Sequence, residues 1–289
     1  MPETHIVTPE AVGQAELDRH FSDAAERVAD QMFEPEFHAL LGKAGIDIND
    51  SDPSLYWQKM AEYTARKTGS NSELSSLEKH TTQLIGFLPN TLLQEYHLRF
   101  HKDLLSEQEI RSAKRTACTY NNLLKDFVRT YPQDAEHLKQ NLLGGILQTV
   151  GGESIDFNEF TNMSLDTTLR GVKHEVGFGV ILDTLGVEHR DATISEDLRG
   201  RDLVIMFNGH EIGIDVKASL DQVDGKNHGS ENMPYAVKHN GDVVMFSMLL
   251  EKDFAGGFTP TSTLVSELAP QAGGYLHQAL MHSIAKKHI

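Results

Sequence analysis

Apolar residues in the first half of the chain recur every three or four positions, the spacing of helices buried along one face. Leu17, Phe21, Ala24, Val28 and Met32 form the first such stripe and predict an amphipathic helix over 14–41, disturbed at Pro35. Asp52-Pro53 predicts the start of another, with aspartate as the cap and proline at the first helical position; it runs to Gly69. Helices follow over 72–87, stopping before Pro89, and over 91–104. Ser106 and Glu109 are spaced as a capping box, in which the serine side chain takes the glutamate N–H and the glutamate side chain takes the serine N–H. The helix it opens runs to Tyr131, Pro132-Gln133-Asp134 interrupts, and 135–150 forms the next. Residues 1–14 show no periodicity and read as a loose leader.

The pattern changes after Ser164. A helix over 165–185, capped by Ser164 or Asp166 and closed by Gly186, precedes strands at 202–207, 212–219 and 242–249, and a helix over 275–287 ends the chain. Helix, strand, strand, polar loop, strand, helix is a mixed α/β order. With Gly151-Gly152 as the junction, the expected organisation is an all-helical domain over 1–150 and an α/β domain over 151–289.

Asn208-Gly209 between two apolar runs predicts a tight hairpin, because a type I′ turn needs positive φ at both central residues. If these are the turn residues, Phe207 faces His210 and, stepping outward, Asp202 faces Asp215. Directly opposed residues have Cβ atoms about 4.5–5.5 Å apart, so the two carboxylates repel each other unless a cation lies between them. Lys217, two residues beyond Asp215, shares its face. Leu203, Ile205, Phe207, Ile212, Ile214 and Val216 form the other, buried face, which fixes the register. Polar alternation is also what an ordinary solvent-facing hairpin shows, with Lys217 merely neutralising Asp215.

The run Arg199-Gly200-Arg201-Asp202-Leu203-Val204-Ile205, followed by Ile214-Asp215-Val216-Lys217-Ala218-Ser219, resembles the PD-(D/E)xK nuclease superfamily. That signature is an acidic residue on one strand and D/E-x-K on the next, after a helix bearing a glutamate, for which Glu175 is the candidate. Gly171 and Gly179, four residues either side of Glu175, would let that helix approach the sheet. Arg201 stands where the signature has proline. The resemblance covers about 165–250 and leaves 1–164 unassigned. It implies a restriction-endonuclease-like mixed-sheet core and a nuclease that hydrolyses phosphodiester bonds with Mg²⁺ or Mn²⁺. It further implies that Asp202 and Asp215 are ligands together with the Val216 carbonyl, that Glu175 binds the metal through water, and that Lys217 acts on the attacking water.

Charge complicates this reading. The chain carries a formal −16; residues 1–150 hold 15 Lys and Arg against 22 Asp and Glu, and 151–289 hold 11 against 20. Neither half is a conventional phosphate-binding surface. Two local groups remain: the polar segment 221–240 with Lys226, His228, Lys238 and His239, read as a surface loop or a substrate-facing flap, and Arg99, Lys102, Arg111, Lys114 and Arg115 in the helical half. His97 and His101 share a helix face as a metal pair would, but no carboxylate or cysteine lies near them in sequence; His174, His277 and His282 read as structural or solvent-facing. A single cysteine, Cys118, excludes a disulfide framework and a multi-cysteine zinc site. No apolar run approaches the roughly 18 residues of a membrane helix, and no signal peptide is visible, so a cytoplasmic location is expected. No phosphate loop, dinucleotide fingerprint or serine-elbow motif is found. The expected partner is a nucleic acid, DNA before RNA, in a restriction or defence setting, with the helical domain serving recognition or a protein partner and no membrane association. The rival reading is a catalytically silent module of the same fold that binds nucleic acid or protein, which the net acidity favours.

Overall fold

The computed structural model describes residues 12–47, 53–150, 155–224 and 233–287. The chain divides into two compact units, Met1–Thr167 and Thr168–Ile289. The expected junction at Gly151-Gly152 lies outside the described residues.

The first unit is helical: α1 (Gln14–Gln31), α2 (Pro35–Ala44), α3 (Pro53–Ser70), α4 (Ser76–Phe100), α5 (Glu107–Thr130), α6 (Ala135–Val150) and the start of α7 (Ile155–Thr184). The first stripe is buried as expected at Leu17, Phe21, Ala24 and Val28, against α4 and α6. Pro35 does not disturb one helix; it opens a second. Glu34, held extended by the following proline, takes the N-cap position of α2 without a side-chain capping bond. The Ser106–Glu109 capping box forms as read. The break expected at Pro89 does not occur, and α4 runs through it from a capping box on Ser75 and Glu78. An interior proline costs roughly 3 kcal/mol. Leu84, Ile85, Leu88 and Leu92 around it are fully buried, and each such burial contributes about 1.5–3 kcal/mol, which outweighs it.

The second unit contains the rest of α7, β1 (His189–Asp191), α8 (Ile194–Asp197), β2 (Leu203–Phe207), β3 (His210–Lys217), α9 (Leu220–Asp224), β4 (Tyr235–Val237), β5 (Val243–Phe246) and α10 (Ser262–Lys287). One sheet has the order β1-β2-β3-β5-β4, with β3 and β5 parallel and the other neighbours antiparallel. The layout is therefore α/β with a mixed sheet. Leu203, Ile205, Ile212, Ile214 and Val216 point to one face, where Phe178, Ile181 and Leu182 of α7 and Leu276, Ala279 and Leu280 of α10 complete the core. On the other face, Val223 of α9 covers Ala236 and Val244.

Several sequence-based boundaries move. α7 begins at Ile155, so Ser164 and Asp166 are interior residues rather than caps. Gly186 ends the helix as expected, in the left-handed region at φ 67°. α10 begins at Ser262 and passes through Pro270. The strand expected over 242–249 stops at Phe246, and Met248 adopts φ 63°, which no ladder accommodates. β1 and β4, three residues each, are too short to show alternation. Among the described residues no helix is long and apolar enough to cross a membrane.

Candidate functional site

The β2–β3 hairpin organises the site. Asn208 at φ 50° and Gly209 at φ 77° form the turn, and pairing runs from Phe207↔His210 to Leu203↔Ile214 in the expected register. The ladder ends there, one pair short of Asp202. Asp202 instead donates its N–H to the Ile214 carbonyl at 2.7 Å, and its Oδ2 accepts the Val216 N–H at 2.6 Å. The carboxylate thus takes a ladder position and lies beside β3.

Asp215 is 3% exposed. Its Oδ1 pairs with the Lys217 ammonium, as their shared face requires, and its Oδ2 lies 2.9 Å from Lys238 Nζ. Burial works against ionisation of Asp215, but the hydrogen bonds and charges of Lys217 and Lys238 outweigh it and hold the carboxyl below its usual range. Burial also works against the charge of Lys217, and Asp215, Asp202 and Glu175 together outweigh it and hold that ammonium above its usual range. Asp202 is the opposite case. Burial first, then the charges of Glu175 and Asp215, push it well above the usual carboxylate range, against the pull of Lys217 and the Val216 N–H.

Glu175, half-buried on α7, is therefore near enough for its charge to act on both Asp202 and Lys217. The close approach of this helix is not at the glycines expected. A Cβ at Gly171 would meet open space and one at Gly179 only His189, whereas one at Gly177 would lie 2.6 Å from Leu249 and 2.8 Å from Phe254. Glu175, Asp202, Asp215 and Lys217 are brought into one electrostatic cluster. Val216 supplies its N–H to that cluster.

Arg201 and Asp242 support the cluster and were not legible as such. Asp242 is fully buried; it accepts Arg201 Nε at 2.8 Å, the Gly213 N–H at 3.2 Å and Asn240 Nδ2 at 2.8 Å. A Cβ at Gly213 would lie 2.4 Å from Arg201 Cδ, so only glycine lets that side chain cross β3. Arg201 thus ties the chain just before Asp202 to the residue that precedes β5. Of the 221–240 segment, Lys226 and His228 lie outside the described residues, His239 is exposed and Lys238 joins Asp215.

His174, next to Glu175, is buried. Its Nδ1 lies 2.7 Å from Ser247 Oγ, and burial depresses its pKa to about 4. His277 packs edge-on against Phe207, and His282 lies 3.1 Å from the Tyr235 hydroxyl. In the helical unit, His97 and His101 line a cavity of about 260 Å³ with Gln58, Gln94 and Glu109. Arg111 pairs with Glu107 at 3.5 Å on an exposed face.

The cluster's donor set is all oxygen, the chemistry of a hard divalent cation such as Mg²⁺ or Mn²⁺. Among the described residues no three His, Cys, Asp or Glu side chains are grouped closely enough to hold an ion by themselves. Two carboxylates that perturb each other fit a cation that keeps several waters, as Mg²⁺ does. No family model, curated protein or solved structure matches the chain.

Proposed function

We propose that Thr168–Ile289 is a PD-(D/E)xK-type nuclease with a restriction-endonuclease-like core, hydrolysing phosphodiester bonds of DNA before RNA, in a restriction or defence setting. One observation carries this reading: Lys217 is paired with Asp215 while Asp202 and Glu175 press their charge on the same spot. Such a concentration of desolvated, mutually perturbed charge makes the cluster a candidate functional site.

In this reading Asp202 and Asp215 hold Mg²⁺ or Mn²⁺ with the Val216 carbonyl, and Glu175 binds it through water. When bound, the ion supplies charge neutralisation at phosphorus and an acidified water. Lys217 cannot ligate a cation, so its ammonium orients the attacking water and holds a scissile phosphate oxygen. Asp202 meets the Val216 N–H, which fixes its carboxylate before substrate arrives. Arg201, tied to Asp242, keeps the chain before Asp202 on the sheet.

The opposing reading, a silent module that binds nucleic acid or protein, draws on the occupation of both Asp215 oxygens by lysines and on the chain's net −16. Incubation with single- and double-stranded DNA and RNA, with Mg²⁺, Mn²⁺ or EDTA, separates the two. The nuclease reading expects degradation with either ion and none in EDTA. Intact substrates under every condition would hand the site to the silent module.

A further inference from the structure

We propose that Lys238 is a built-in counter-cation that competes with the divalent ion for Asp215. The proposal rests on the reading that Asp215 is a metal ligand.

The placement of Lys238 follows from the sheet. Asp215 pairs with Val244 on β5, and Val244 pairs with Ala236 on β4, so these three share a face. Lys238 is two residues beyond Ala236, and its N–H still meets the Asp242 carbonyl at 2.7 Å, so it continues the same face. The two strand spacings between β4 and β3, about 10 Å, are within the combined reach of a lysine and an aspartate side chain. The turn that follows is clamped by Asp242, which holds Asn240, Gly213 and Arg201 at once. The lysine is therefore aimed at the site by fixed backbone.

Its ammonium has two acceptors: Asp215 Oδ2 at 2.9 Å and the Gly200 carbonyl at 2.7 Å. Gly200 lies at φ 74°, and a Cβ there would crowd Lys238 Nζ at 3.1 Å. The two lysines on Asp215 are not equivalent. Lys217 belongs to β3 itself, two residues from the carboxylate. Lys238 is the residue after β4 and keeps the Gly200 carbonyl when it gives up Oδ2. It is the ammonium that can yield its place. In the resting site it neutralises a buried carboxylate that would otherwise be costly to expose to Asp202 and Glu175. A cation arriving at Asp215 meets its repulsion first, and the displaced ammonium is left beside the position of the anionic substrate.

Mn²⁺ binding to the full chain, followed by electron paramagnetic resonance and calorimetry without nucleic acid, tests this. Lys238→Met keeps the stem and removes the charge, so it should bind Mn²⁺ at least about tenfold more tightly than wild type, since a unit charge a few ångströms from a divalent ion is strongly felt. Lys238→Arg offers the carboxylate a two-pronged donor and should bind Mn²⁺ more weakly than wild type. This variant decides the matter if Lys238→Met fails to fold. Unchanged or reversed affinities, with wild type binding Mn²⁺, would overturn the competition and leave the metal site standing. If neither wild type nor Lys238→Met binds Mn²⁺ at millimolar concentration, the metal reading falls and the competition with it.

Discussion

In the helical unit, some buried hydroxyls are answered within a turn of their own helix, as Thr81 Oγ1 is by the Leu77 carbonyl at 3.0 Å and Thr149 Oγ1 by the Gly145 carbonyl at 2.8 Å, although Thr64 Oγ1 donates across to Gln31 Oε1 at 2.8 Å. Some of its ion pairs sit toward solvent, as Lys59–Glu62 and Arg111–Glu107 do, although Arg27–Glu78 is partly buried and Lys125 is buried. In the α/β unit, Asp215 and Asp242 are both sunk below the surface and satisfied by residues 2 to 41 positions away. Exposed pairs contribute at most about 1 kcal/mol each, and most work as well in several geometries. A buried charge works only in one. The contrast shows where each unit spends structural precision: along individual helices in the first, across strands at the Asp202–Asp215–Lys217 cluster in the second.

The sharpest way to break this contrast is to remove one partner from each unit. Asp242→Ala strands Arg201 and the Gly213 N–H, and should destabilise the protein by about 3–5 kcal/mol in urea melts, as loss of one member of a buried pair does. Arg111→Met, at the exposed Arg111–Glu107 pair, should cost under about 1 kcal/mol. Equal losses would erase the distinction between the units.

A smaller effect appears in acid. His174 has a folded pKa depressed to about 4 from 6.5 by burial, with Glu251 pulling upward and Arg170 and Lys173 reinforcing the depression. The unfolded chain then binds the extra proton between these values. The stability that neutral His174 carries is complete above about pH 6.5 and is lost as pH falls toward about 4. His174→Asn should flatten that slope in melts taken across the window. A slope identical to wild type would show that His174 titrates normally. Ser106→Ala removes one side of a capping box and should cost about 1 kcal/mol in thermal melts, with the site's ion binding unchanged.

Legibility divided along the same line. Capping at Ser106, the Pro53 helix start, the Gly186 stop and the Asn208-Gly209 turn are decided by neighbours in sequence, and the structure has them where the pattern predicts. The alternation on β2 and β3 fixed which residues share a face, and so brought Asp215 and Lys217 together, but it did not show that the second face is covered as well, where Val204 and Asp215 are buried. Continuity through Pro89 and Pro270 was not legible, because distant packing overrides a local penalty there. Nor was the role of Lys238, which depends on the three-residue strand β4, or that of Asp242, whose partner Arg201 is 41 positions away.

The central claim is that Lys217 acts on substrate while the carboxylates hold the ion. Single-turnover cleavage of double-stranded DNA by Lys217→Ala, measured beside its Mg²⁺-induced rise in melting temperature, addresses it most directly. The rate should fall by roughly 10²–10⁴, the contribution of proton and charge management in the transition state, with the effect in kcat rather than KM. On the proposed reading the Mg²⁺ stabilisation should persist, because the ion would be held in the folded state by Asp202 and Asp215 rather than by Lys217. Wild-type cleavage rates in Lys217→Ala would contradict the account.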